Sequence, residues 1–172
     1  MAHWMENKPA KSVKIGNIYE IETPVGYFYI QYVHFDKLMG YLVRLIDGRF
    51  DYEQTDFEML AGIPTKYMFF YALPACVKLA FCKFICNAPV PNADKKMPTS
   101  VNQMHVPKDA PAKWEIIAPD GGVRHVYQLT ESQKNLPISS IPGHPIVLRR
   151  LVDGWTPTLD NERYEREHRK LV

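Results

Sequence analysis

Residues 16–46 read GNIYEIETPVGYFYIQYVHFDKLMGYLVRLI, and this stretch decides the fold. β-Branched and aromatic side chains fill three short runs. Between the runs stand Thr23-Pro24-Val25-Gly26 and the segment from His34 to Gly40. Such side chains suit a pleated surface, and Gly and Pro interrupt it, so the stretch predicts a three-stranded antiparallel meander. Its strands are expected at 15–23, 27–34 and 41–46. With a side-chain period of two, Phe28, Ile30 and Tyr32 share one face of the middle strand, and Tyr27, Tyr29, Gln31 and Val33 share the other. Both faces are apolar, the pattern of a central strand covered on both sides or of a barrel strand facing a partner.

Downstream, Asp47-Gly48 marks a turn, and 49–54 reads as a short return strand. Thr55-Asp56-Phe57-Glu58 fits a capping box with Thr55 as the cap. Residues 65–73 (TKYMFFYAL) read as a buried strand, 75–81 as a helical turn opened by Pro74, and 83–86 as a further strand. Segment 87–113 contains five of the chain's 14 prolines and few large apolar residues, so no regular structure is expected there. Residues 114–128 (WEIIAPDGGVRHVYQ) form the clearest hairpin, since Asp120-Gly121-Gly122 supplies turn conformations. Thr130-Glu131-Ser132-Gln133 is a second capping box. Residues 146–152 (IVLRRLV) read as a last strand. The tail 161–170 reads as a solvated, charged helix with Glu162–Arg166 and Glu165–Arg169 pairs.

The reading is therefore an α+β fold, mainly β: an antiparallel, partly open small barrel or twisted sheet with short helices and a C-terminal charged helix. A flexible N-terminus over 1–14 precedes a single domain over 15–160, with the Pro-rich loop at 87–113 and the helix at 161–172.

Composition narrows the function classes. The chain has 172 residues, of which 46 % are hydrophobic and 23 % charged, as in ordinary globular proteins. Its 21 basic and 19 acidic residues leave +2, without the clustered Lys and Arg that phosphate contacts demand, so nucleic acid is not the expected partner. No apolar run reaches the ~20 residues of a membrane span. The N-terminus lacks a signal peptide's apolar centre. Three cysteines, Cys76, Cys82 and Cys86, lie in one short stretch, unlike a secreted disulfide framework, and the expectation is a reducing cytoplasm.

Candidate chemistry is sparse. Cys82 and Cys86 could share a face, but zinc asks for four ligands, and His34, His105, His125 and His144 are scattered. No metal or other cofactor is expected. His34 and Asp36 could form an acid–base pair or simply decorate a turn. His125 faces Glu115 across the hairpin as an ordinary cross-strand contact. Phosphate loops, nucleophile elbows and HExxH are all missing. The aromatic supply is the remaining clue: Tyr27, Tyr29, Tyr32 and Tyr41, with His34, Asp36 and Arg44, form the candidate binding surface, unless later elements cover it.

The phrase Ile15-Gly16-Asn17-Ile18-Tyr19-Glu20-Ile21, followed by Pro24, Gly26-Tyr27 and Gln31-Tyr32-Val33, resembles the start of a family of bacterial immunity proteins from polymorphic toxin systems. The resemblance spans residues 15–33. It implies a β-rich fold and a protein partner, a cognate toxin, and it carries over no catalytic residue. Two other classes stand beside it: a small enzyme using a His/Asp or Cys/His site, and a nucleic-acid-binding barrel. The sequence names no oligomeric state.

Overall fold

In a computed structural model, residues 12–168 are described. The expected flexible stretch lies outside them as far as residue 11. Val13, within the same expected stretch, is instead buried in the main core.

The meander is present. Strands β1 (Asn17–Thr23), β2 (Gly26–Asp36) and β3 (Gly40–Ile46) pair antiparallel, with Ile21 opposite Phe28 and Tyr32 opposite Val43. Backbone sterics fix the first turn. Gly26 has φ +132°, and a Cβ there would stand 2.5 Å from the Phe50 carbonyl oxygen. That close approach allows the Tyr27 and Phe50 backbones to exchange hydrogen bonds of 2.8 and 3.0 Å. The expected return strand at 49–54 shrinks to this one bridge.

Two further strands, β4 (Thr65–Tyr71) and β5 (Lys83–Asn87), complete an antiparallel sheet in the order β4-β3-β2-β1-β5, which does not close. Between the third and fifth strands lie α1 (Phe57–Gly62) and α2 (Leu73–Lys78). The α1 cap is Asp56, not Thr55, because the Asp56 carboxylate accepts the Met59 N–H. Helix α2 stops at Lys78, short of the expected 81, and Ala80 follows with a left-handed φ of 56°. Strand β5 meets β1 with a register shift: Cys86 faces Ile18 and Phe84 faces Tyr19, leaving Ile85 as the extra residue.

Both faces of the sheet are covered, as the apolar pattern of β2 requires. On one face Tyr19, Ile21, Phe28, Ile30, Tyr32, Val43 and Leu45 pack with Val147 and Leu151. Full burial of such side chains stabilises the fold by roughly 1.5–3 kcal/mol each. The two last-named residues belong to α4 (His144–Asp153), where the sequence pattern suggested a strand over 146–152. Tertiary packing overrides the strand propensity: Val147 and Leu151, four apart, present one stripe to the sheet. Gly154, with φ 67°, ends the helix in the left-handed conformation. The opposite face holds two apolar clusters, one of Ile18, Tyr29, Ile46 and Leu60, the other of Val33, Leu42, Met68 and Phe70.

A smaller sheet, in the order β6-β7-β8, contains β6 (Ser100–Gln103), β7 (Trp114–Ile117) and β8 (Val123–Val126). The last two strands are the expected hairpin. Strand β6 corrects the expectation of an irregular 87–113: it pairs with β7 along all four residues, and a 3-10 turn occupies Asn92–Asp94. The second capping box opens α3 (Glu131–Lys134). Helix α5 (Pro157–Glu167) is not a wholly solvated tail, because Asn161 and Tyr164 are buried against the smaller sheet. Its side chains form Arg163–Asp160 and Lys134–Glu162 ion pairs at 2.6 and 3.7 Å rather than the expected Glu162–Arg166 pair. The other expected pair involves Arg169, outside the described residues.

Candidate functional site

The seven residues of the expected binding surface do not form one. Tyr29, Tyr32 and Arg44 are buried, at 0 %, 2 % and 0 % exposure, so they cannot be presented to a partner. Tyr41 is half-buried, with its ring 5.2 Å from those of Tyr32 and Phe35. Asp36 accepts the Leu38 and Met39 N–H groups at 2.8 and 2.7 Å and so holds the turn before β3. His34 makes a 2.7 Å hydrogen bond through Nε2 to the Asp94 carbonyl oxygen. No hydrogen bond joins these two; each instead braces a neighbouring loop. Tyr27 is half-buried and packs against the apolar cluster that contains Tyr29.

Arg44 explains why a charged residue occurs in an apolar strand. It sits between the two clusters on its face of the sheet, and loop carbonyls converge on it. Its guanidinium donates to Gln31 Oε1 at 2.7 Å, Ile63 O at 2.9 Å, Ala61 O at 3.0 Å and Thr65 Oγ1 at 3.3 Å. Thr65 in turn donates to Asp94 Oδ2 at 2.6 Å. Burial lowers the Arg44 pKa, and the Asp94 carboxylate opposes that shift. The network closes the loop after α1 and the Pro-rich segment onto the sheet.

The better site lies at the other end of the sheet, where β1 and β5 meet. An open cleft of about 660 Å³ is lined by Glu20, Glu22, Glu53, Phe81, Lys83 and His144, among others. Strand alternation places Glu20 and Glu22 on one face of β1. The register places Phe84 directly opposite Tyr19, on the other face. Their rings meet edge-on at 6.0 Å. Glu20 is buried and accepts the Tyr29 hydroxyl at 2.6 Å, while Tyr29 accepts the Gln54 N–H at 2.7 Å. Burial, followed by the bond to Glu20, holds the Tyr29 phenol far above its ordinary pKa. Lys83 lies 3.3 Å from Glu53 and 4.0 Å from Glu20. Its pKa is raised, first by the Glu53 hydrogen bond. Glu22 beside Tyr27 raises that phenol's pKa as well.

Phe81 and Phe84 remain 42 % and 51 % exposed, a large apolar area for rings beside three carboxylates. Phe81 lies flat on His144, with centroids 4.3 Å apart and planes 3° from parallel. His144 Nδ1 is 2.7 Å from the Tyr71 hydroxyl, and burial lowers its pKa, so the imidazole is neutral near pH 7. Behind them the Cys82 thiol is pushed up to about 12 by burial, and Cys76 is raised by the same cause. All three cysteines carry free thiols. Thiols held protonated in this way are poor nucleophiles at neutral pH. Elsewhere, His125 meets Glu115 at 3.2 Å as a cross-strand pair, and His105 is exposed. Among the described residues no hydrogen bond joins His34, His105 or His125 to a cysteine.

No protein-family model, curated protein or solved structure matches this chain. Among the described residues no helix is long and apolar enough to cross a membrane.

Proposed function

We propose that this chain is a non-enzymatic binding protein whose working surface is the acidic, aromatic-rimmed cleft between β1 and β5. Within that class we read it as an immunity protein that binds and neutralises a cognate toxin in the cytoplasm. One observation carries the reading: two exposed rings, Phe81 and Phe84, line one cleft with three carboxylates, while the neighbouring imidazole is bonded to Tyr71 and the Cys76 and Cys82 thiols are buried. Aromatic anchors with a charged rim are what recognition surfaces use. The resemblance of residues 15–33 to immunity proteins agrees with that chemistry.

The test is to co-express the chain with a toxin-like product of an adjacent gene. Complex formation on a sizing column and restored growth are expected. Phe84→Asp should weaken both while leaving the far-ultraviolet spectrum unchanged, because the ring is half exposed. A toxin that neither binds nor is neutralised overturns the reading.

A further inference from the structure

We propose that the outer edge of β5 receives an extended, basic segment of the partner protein as a sixth strand of the main sheet. The inference rests on the binding reading above and specifies the partner's chemistry.

Strand β5 is last in the sheet, and β1 is its one strand neighbour among the described residues. Its residues run exposed, exposed, half-buried, half-buried, exposed. An edge strand carries a row of backbone donors and acceptors with no ladder partner, and strand addition is how an extended segment satisfies them. Phe84 stands at this edge between two open clefts. One is the acidic cleft; the other, about 540 Å³, is lined partly by Lys14, Ile15 and Asn87. Ile15 is 55 % exposed, so apolar surface continues along the edge past Phe84.

Charge selects the guest. In the acidic cleft the carboxylates of Glu20, Glu22 and Glu53 face the single ammonium of Lys83, a balance of −3 + 1 = −2. Lys83 is shared between Glu20 and Glu53, and Glu22 makes no ion pair among the described residues. Side chains of an added strand alternate between the two faces of the sheet. The carboxylates stand on one face and Phe84 on the other, so a guest alternating basic and apolar residues matches both.

The probe is an acetylated, amidated (Lys-Val)4 peptide, with (Glu-Val)4 and a backbone N-methylated (Lys-Val)4 as controls, added to the full chain. Hydrogen exchange is followed residue by residue alongside a binding titration. The Lys peptide should bind and slow exchange over residues 83–87 by about tenfold, and both controls should fail. Raising salt from about 50 to about 300 mM should weaken binding roughly fivefold. The double variant Glu22→Lys, Glu53→Lys should weaken it about tenfold with the free protein's exchange pattern kept, since both side chains are exposed. Equal binding of the Glu peptide, protection confined to other strands, or concentration-dependent protection of 83–87 by the chain itself would overturn the proposal. A toxin that is neutralised without protecting 83–87 would sink strand addition and leave the immunity reading standing. Peptide docking on 83–87 with no toxin neutralised would do the reverse.

Discussion

Trp114 and Asn161 are joined across the smaller core: the indole N–H donates to Asn161 Oδ1 at 3.0 Å, and each residue is 1 % exposed. The same oxygen accepts from Gln103 Nε2, and Asn161 Nδ2 donates to the Lys134 carbonyl. One amide on α5 thus ties together β6, β7 and the end of α3. Asn161→Leu leaves a buried indole donor and a carbonyl without partners. A loss of about 1–3 kcal/mol is expected, read from urea unfolding, with exchange in α5 accelerated before the main sheet is affected. Unchanged stability would contradict this assignment.

Arg44 supplies a fork of donors that a lysine cannot imitate, since an ammonium is a point charge on a flexible stem. Arg44→Ala strands the converging carbonyls and leaves Asp94 without its nearby cation, a loss of about 3–5 kcal/mol. Arg44→Lys should recover only part of it. If lysine restored full stability, the forked geometry would not be what matters.

Gly154 ends α4 at φ 67°, and a Cβ built there meets nothing within 4 Å. A substitution at this position therefore reports backbone strain alone. Gly154→Ala should cost about 1 kcal/mol in thermal or urea unfolding, and Gly154→Asn less, because asparagine tolerates the left-handed region. Equal losses for both would point to a side-chain clash instead.

Alkaline pH should weaken the fold through the buried acids of the main core. An unfolded Cys82 thiol gives up its proton near its ordinary value of 9.0, whereas the folded one holds it to about 12. Tyr32 behaves likewise, from 10.0 to about 12. Between those values the unfolded state binds fewer protons, so stability is fully present below pH 9 and declines as pH rises towards 12. Unfolding curves at stepped pH should show the decline, and Cys82→Ala should flatten it. A variant with the wild-type slope would remove the thiol as its cause.

The meander was legible because a period of two is written directly into it. The face assignments of Phe28, Ile30, Tyr32 and Tyr29 follow from alternation alone, and the turns from Gly26 and Gly40. Segment 146–152 reads as a strand because Ile146, Val147 and Val152 favour strands locally, whereas Val147 and Leu151 are committed to a helix by a sheet remote in sequence. Pro145 and Gly154 were the available signal, a proline just inside the helix start and a glycine just past its end. Strand β6 (SVNQ) has little propensity of its own, and its conformation comes from pairing with β7. The burial of Arg44 depends on carbonyls of Ala61 and Ile63, which no local pattern announces. The cleft was invisible for a similar reason: Glu22, Glu53 and Phe81 come from three separate segments, and only the sheet order brings them together.

The register shift at Ile85 has a bearing on how this molecule behaves in a crowd of its own copies. A long, flat, regular edge invites indiscriminate stacking and fibril growth. Strand β5 is five residues long, opens on Lys83 and is kinked out of regular pairing at its centre. Each of these features discourages endless self-templating. The irregularity that limits stacking of copies also sets a limit on any added strand, which has to be short.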